Sequence, residues 1–382
     1  MWTTPAASTA LSSRDLAAIL RTYRGINRLS QEQLADLLGY DKTYISMIET
    51  RRRTIGDIAT RRHIARTLGL PVHLLGVTDG TGDAGFTAML QFGDSTIRLA
   101  EVARKAGCAV DAVNELWPLV ARLETRAAEG LLERDALILL GQGRAALGVS
   151  LGTVLPEERL ATAARWTGKA VRVAERLGDH AFLGHALRMH GNELRKANHP
   201  AAALARLTHA AALANDREGV GTSYALLARA AGDHGYPDLF DHALDCCRKL
   251  MDGGVAHGML FNPFAFREIW LRGLMSTGRA TAAVRIIQTD DSDWRPVAPQ
   301  WRVIERVTTG EVLLTAGQRD AAEDALRTAL SSAERHRLPH QIQRGIRAAA
   351  AGGLTDIRDA GRAALQRLNN LLTAGGPQPE TP

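Results

Sequence analysis

Three cysteines in 382 residues, Cys108, Cys246 and Cys247, are too few and too irregularly spaced for a disulfide framework or a paired-thiolate metal site, and they suit a reducing compartment. Aromatic residues make up only 5% of the chain, and no β-branched, alternating segment stands out, so strands are not expected. Lysine is also scarce. Five of the 47 basic residues are Lys, a bias without functional content. The first residues, Met1-Trp2-Thr3-Thr4-Pro5, offer neither a basic n-region nor an apolar h-region, and no run of 18 apolar residues occurs. A soluble, cytoplasmic protein without a membrane segment is the expectation.

Catalytic signatures are missing as well. Gly141-Gln142-Gly143-Arg144-Ala145-Ala146 has the letters of a dinucleotide fingerprint but sits within a helical stretch with no strand before it. Gly168-Lys169-Ala170 lacks the upstream glycine and the hydroxyl of a phosphate-binding loop. His180, His185 and His190 recur every five residues, a period that drifts around a helix instead of sharing one face, and Pro339 separates His336 from His340. No enzyme, metal or cofactor is expected.

What is present is Ala, Leu and Arg in helical patterns, with the charge unevenly divided. Residues 1–75 hold eleven Arg/Lys and six Asp/Glu, whereas the remaining 307 hold 36 and 35. A basic excess confined to one end marks either a nucleic-acid footprint or a solvated face. Residues 1–12, rich in Ala, Ser and Thr, read as a disordered arm; 13–76 as a first domain; 77–85, with its glycines and aspartates, as a linker; 86–374 as a second helical domain; and 375–382 as a disordered tail.

Within the first domain, Ser30 and Gln33 form a capping-box pair that predicts a helix over 31–38. Gly39 permits a sharp turn, and Asp41 is placed to cap a second helix whose inward stripe is Ile45 and Ile48. Ala35 is small where the two helices must approach, and Leu34, Leu38 and Tyr40 complete the core. Lys42, Thr43, Ser46 and Met47 are left facing outward, with Arg51, Arg52 and Arg53 immediately after them. Lys donates to guanine O6 and N7, Thr bonds a base edge or touches a thymine methyl, Met offers apolar contact, and arginines suit phosphates. Gln31 adds a first-turn amide.

These residues, with the preceding Leu16 to Arg24, the stretch Tyr44-Ile45-Ser46-Met47-Ile48-Glu49 and the later Ile64 to Pro71, resemble the xenobiotic-response-element family of phage-repressor-like regulators. The resemblance implies a five-helix repressor-type helix-turn-helix domain that binds double-stranded DNA. Gln31 would touch phosphate, Lys42, Thr43 and Met47 would read bases, and Tyr44, Ser46 and Arg51 to Arg53 would share the interface. The sequence departs from the family at Met47, where relatives often carry a polar or basic residue, and at Arg51 to Arg53, where a glycine usually follows the recognition helix.

In the second domain Gly191 is followed by Leu194, Ala203, Leu207 and Ala210, and Gly310 by Leu313, Ala322, Leu326 and Ala329 at the same offsets. The pattern resembles the tetratricopeptide repeat and implies an all-α helical-repeat superhelix. Its inner face would carry Arg188, Asn192, Arg195, Arg229, Glu268 and Arg272, side chains suited to a peptide carboxylate and backbone amides. The combination resembles regulators in which such repeats sense a signalling peptide, several of them quorum sensors. It implies a homodimer on a palindromic operator, controlled by a peptide or another small ligand. A scaffold that recruits a protein partner is the alternative reading of the repeats.

Overall fold

The computed structural model describes residues 5–13, 15–70, 72–75, 77, 83–128, 132–254, 258–289 and 298–374. These residues contain helices and no strand. The chain divides into two compact units, one formed by residues within 1–91, 124–129 and 369–382, the other by residues within 92–123 and 130–368. The partition falls after Gln91, inside a helix, and not in the glycine-rich stretch 77–85; the three last residues of that stretch already belong to the helix that starts at Asp83. The expected tail, 375–382, lies outside the described residues.

The first unit contains α1 (Pro5–Ser13), α2 (Leu16–Asn27), α3 (Gln31–Leu38), α4 (Lys42–Glu49) and α5 (Ile58–Thr67), followed by one 3-10 turn, Val72–Leu75. Helix α1 corrects the expectation of a disordered arm over 1–12. The segment has no apolar period, yet Ala7 and Ala10 are buried, and Ala10 joins the core with Ile19, Leu20, Leu34 and Ile64. Small side chains let α1 lie close on α2, and closeness substitutes for bulk.

Helices α2 to α5 each start where a side chain satisfies the first N–H groups. Asp15 accepts from Ala17, Ser30 and Gln33 exchange both bonds of the capping box, Asp41 accepts from Tyr44, and Asp57 from Ala59 and Thr60. Gly39 ends α3 at φ 72°, the left-handed conformation that turns the chain sharply into α4.

The second unit is built from hairpins of helices: α8 (Arg134–Val154) with α9 (Leu160–Leu177), α10 (His180–Lys196) with α11 (Pro200–Leu213), α12 (Arg217–Asp233) with α13 (Pro237–Asp252), α14 (Pro263–Ser276) with α15 (Ala280–Thr289), and α16 (Pro299–Thr315) with α17 (Arg319–Arg335). Helix α18 (Pro339–Ala351) follows, and the chain continues into α19 (Thr355–Ala374). Before the first hairpin come α6 (Asp83–Lys105) and α7 (Ala109–Ala128). The first helices of successive hairpins also pack on one another, α8 on α10, α10 on α12, and so to α18, which lines them along the inner face.

Gly191 and Gly310 have the steric role their spacing predicts. A Cβ at Gly191 would lie 2.6 Å from Leu207 Cγ, and one at Gly310 2.7 Å from Leu326 Cγ, so only glycine lets each hairpin close this tightly. Ala203, Leu207 and Ala210, like Ala322, Leu326 and Ala329, are fully buried. Gly141 and Gly143 lie inside α8, where added Cβ atoms would meet Phe182 and Val120; they are packing residues. Helix α8 is long and apolar enough to pass as a membrane span by composition, but it is a mostly buried core helix of the repeat.

Candidate nucleic-acid interface and ligand cavity

Helix α4 is held from below by a buried carboxylate. Glu49, 2% exposed, receives Arg24 Nε and Nη2 at 2.9 and 3.1 Å and Gln31 Nε2 at 2.7 Å. Three charge-assisted bonds from α2 and α3 fix the last turn of α4 and raise the Arg24 pKa through that contact. Ile45 and Ile48 point into the core beside Leu34 and Leu38. Tyr40 is half-buried and packs on the Tyr44 ring, centroids 4.9 Å apart. His63 of α5 contacts the Leu38 carbonyl oxygen at 2.8 Å, closing the unit on the other side of α3.

On the outer face of α4, Lys42 and Thr43 are exposed and Ser46, Met47 and Tyr44 half-exposed. Lys42 Nζ lies 3.6 Å from Glu32, a loose pair between exposed groups that a stronger partner displaces. The chain leaves α4 through Arg51 at φ 60°, with Arg51 and Arg52 N–H returning to the Ile48 and Met47 carbonyls. Arg51 therefore takes the position where the family favours glycine.

Two of the expected DNA contacts are engaged otherwise. Arg51 Nη2 and Nε bind Asp15 at 2.6 and 3.1 Å, a contact that lowers the Asp15 carboxyl below its ordinary value. The Gln31 amide points to Glu49 instead of outward. Arg52 and Arg53 remain exposed, the latter with its guanidinium 4.7 Å above the Tyr44 ring. Sequence spacing carried no sign of the Asp15 to Arg51 pair, 36 residues apart.

The inner face of the helical repeats encloses a cavity of about 600 Å³. Of the six residues expected on it, Asn192, Arg195, Arg229 and Arg272 line the cavity. Glu268, fully buried, lies beneath the lining. Arg188 is not part of the lining; it lies in the field of Asp216 and Glu218. Asp233, one turn after Arg229 in α12, and Arg344, Gln300, Gln341 and Trp301 also line the site and were not anticipated; the last four come from α16 and α18, which only the superhelical winding brings to the earlier helices.

Asp233 is shared by Arg195 and by Arg272, whose Nε lies 2.7 Å away. Burial alone would raise the Asp233 pKa, but Arg272, Arg195 and Arg229 outweigh it and hold the group ionised far below the usual range. Arg344 binds Glu311 at 2.6 Å and Thr308 Oγ1 at 2.7 Å, and Thr308 donates to Glu268 Oε1 at 3.0 Å. Arg229 has a weaker setting: its guanidinium stands 4.9 Å above Trp301, and Glu268 is 3.9 Å away. Burial, with Arg195 nearby, lowers the Arg229 pKa to about 9.

The repeat closes around this cavity. Arg347 of α18 makes a two-pronged pair with Glu157, at 2.6 and 2.7 Å, and Gln343 accepts from the Glu157 N–H and donates to Glu158. Glu157 and Glu158 form the 3-10 turn between α8 and α9. The turn of the first hairpin and α18 thus clasp each other.

A helix-turn-helix domain family matches residues 15–76. Control protein C.SmaI of Serratia marcescens is 42% identical over 57 residues, which is 15% of this chain and 67% of that protein. Among solved structures, Bacillus thuringiensis PlcR in complex with the peptide PapR7 and DNA aligns over 85% of this chain and 96% of PlcR, at 14% identity and a TM-score of 0.29. A circular tandem repeat protein aligns over 95% of this chain and 85% of its own, at 14% identity and a TM-score of 0.20.

Proposed function

The chain belongs to the phage-repressor-like helix-turn-helix family of DNA-binding transcription regulators, and on that premise we propose that it reads a palindromic operator as a homodimer under the control of an organic ligand, peptide or other small molecule, held in its helical repeats. The observation that carries the DNA half of this reading is the outer face of α4. Lys42 and Thr43 stand exposed at its N-terminus with Ser46 and Met47 one turn on, opposite the buried Ile45 and Ile48. In the major groove Lys42 reaches guanine O6 and N7, Thr43 a base edge and Met47 a thymine methyl. Arg52 and Arg53 neutralise phosphates, and the first-turn N–H groups at Gln31 add another phosphate contact.

One such module reads few base pairs, and pairing two supplies the missing affinity and specificity. Helix α6 supports pairing. Phe92, Leu99 and Val102 lie 66, 68 and 62% exposed at spacings of seven and three, an apolar stripe along one face. Its expected occupant is the same stripe of a second copy across a two-fold axis. Leu99→Asp should shift the protein to monomer in sedimentation equilibrium with its melting unchanged, because the residue touches little within its own chain.

The test of the whole reading is selection of genomic fragments by the purified protein near physiological salt, where non-specific contacts are screened, followed by footprinting. An inverted repeat with half-sites one or two helical turns apart is the expected result. Enrichment that ignores sequence, or a single isolated half-site, would remove the dimeric regulator.

A further inference from the structure

Buried polar atoms without partners are uncommon, and here they gather around one space. Arg104 Nε, Arg229 Nε, Gln300 Oε1 and Gln341 Oε1 are buried, make no hydrogen bond and belong to residues lining the cavity in the repeats; Glu268 Oε2, beneath it, is in the same condition. Each such group costs about 1–3 kcal/mol when left dry, a cost that a bound molecule removes.

The charges around the cavity do not balance, and the imbalance has an address. Lys196 is answered by Glu193, Arg344 by Glu311, Arg347 by Glu157 and Arg104 by Glu101, while Arg195 and Arg272 share Asp233. Within ion-pair distance Arg229 has only Glu268, at 3.9 Å, and Arg272 and Arg344 draw on the same carboxylate from 3.9 and 3.8 Å. Seven cations therefore face six carboxylates, and the one without an ion pair shorter than 3.9 Å is Arg229. The lining histidines add no charge, since burial lowers the pKa of both His234 and His340. One face of the Arg229 guanidinium is covered by Trp301, which leaves its in-plane N–H edge as the route of approach. Gln300 and Gln341, one and two residues inside the starts of α16 and α18, offer carbonyl oxygens that need donors. Met259, Leu260 and Ile304 add apolar surface to an otherwise largely polar lining.

We infer that the cavity is a receptor for a single organic carboxylate with an N–H donor beside the acid and an apolar substituent, Arg229 binding the carboxylate in its plane and Gln300 and Gln341 accepting from the donor. The inference rests on reading the cavity as the ligand site of the regulator. Free N-acylated amino acids and the C-terminal residue of a short peptide share this chemistry.

The test is calorimetric titration and thermal denaturation of the full chain with N-acetylleucine, its neutral carboxamide, and N-acetyl-alanyl-leucine as the peptide counterpart, each up to about 10 mM, a range suited to ligands this small. The acids should bind at least tenfold more tightly than the amide. Arg229→Met should erase that preference, and Arg229→Lys, which keeps the charge, should retain it at reduced affinity. Gln341→Leu should melt no lower than the parent protein, having lost an unpaired acceptor, and yet bind the acids at least fivefold more weakly. A dipeptide acid more than tenfold tighter than N-acetylleucine assigns the site to a peptide terminus, and equal affinities assign it to a free acyl amino acid; both sustain the receptor. Acid and amide binding alike, neither binding, or either acid preference surviving in Arg229→Met or vanishing in Arg229→Lys would overturn it. No DNA is present in these measurements, so acids that bind without altering operator occupancy would strike the regulatory reading and leave the site standing.

Discussion

Two buried carboxylates separate the two halves of this protein. Glu49, beneath α4, receives three hydrogen bonds from two side chains at 2.7 to 3.1 Å. Glu268, beneath the cavity, has one hydrogen bond from Thr308, three guanidiniums at 3.8 to 3.9 Å, and an oxygen that makes no hydrogen bond. A carboxylate closed off by its neighbours holds geometry, and one whose neighbours stand back keeps bonding capacity for something else. The helix-turn-helix domain accordingly spends its buried carboxylate on its own fold, whereas the repeat domain keeps unsatisfied polar atoms around its cavity.

The strongest way to break the contrast is Glu49→Ala. It strips Arg24 and Gln31 of their partner at once and should destabilise the N-terminal domain by about 2–3 kcal/mol, less than the loss of a fully buried pair because Arg24 is partly exposed. Denaturant unfolding followed in that domain measures this, and operator binding should disappear with it. A loss below about 1 kcal/mol would mean that the Glu49 network does not hold α4.

Replacing Lys42 and Thr43 together by Ala should leave folding untouched and flatten operator preference, each base contact being worth about 1–3 kcal/mol of discrimination. Competition between operator and scrambled DNA reads it, and an undiminished preference would displace α4 from the recognition role. Glu268→Gln sharpens the other half of the comparison. Removing one negative charge from the cavity floor should lower the melting temperature of the free protein modestly and strengthen carboxylate binding, since the cationic excess grows by one. Weaker acid binding in that variant would mean that Glu268 orients Arg229 instead of competing for it.

What could be read from sequence follows how far apart in the chain the interacting residues lie. Ser30 with Gln33, Gly39 and Asp41 fix α3, the turn and α4 within a dozen residues, and each does in the structure what its chemistry suggests. Gly191 with Leu207, and Gly310 with Leu326, are likewise visible because the helices that cross there are consecutive. Helix α1 escaped notice because alanines pack without a bulky periodic stripe. The cavity was half legible. Asn192, Arg195, Arg229 and Arg272 follow from counting along inner helices, but Arg344, Gln300 and Gln341 arrive only when the superhelix closes, as the contacts of Arg347 with Glu157 across 190 residues show. Arg188 fails the same count because one helical turn toward the N-terminus of α10 takes it away from the lining and toward Asp216 and Glu218.

Arg51 gives the smallest expected effect and a sharp one. At φ 60° its side chain costs about 1–2 kcal/mol relative to a residue without a Cβ. Arg51→Gly removes that strain, loses a surface pair with Asp15 worth about 0.2–1 kcal/mol, and adds about 0.5–1 kcal/mol of chain entropy to the unfolded state. The terms nearly cancel, so stability should stay within about 0.5 kcal/mol of the parent. Binding to DNA discriminates further. If Asp15 retains Arg51 in the complex, Arg51→Gly leaves the salt dependence of operator affinity unchanged, while Arg52→Ala lowers its slope by about 1, the signature of one lost phosphate contact. Equal falls in the two variants would show that Arg51 leaves Asp15 for the backbone of DNA, making the Asp15 pair a feature of the free protein alone.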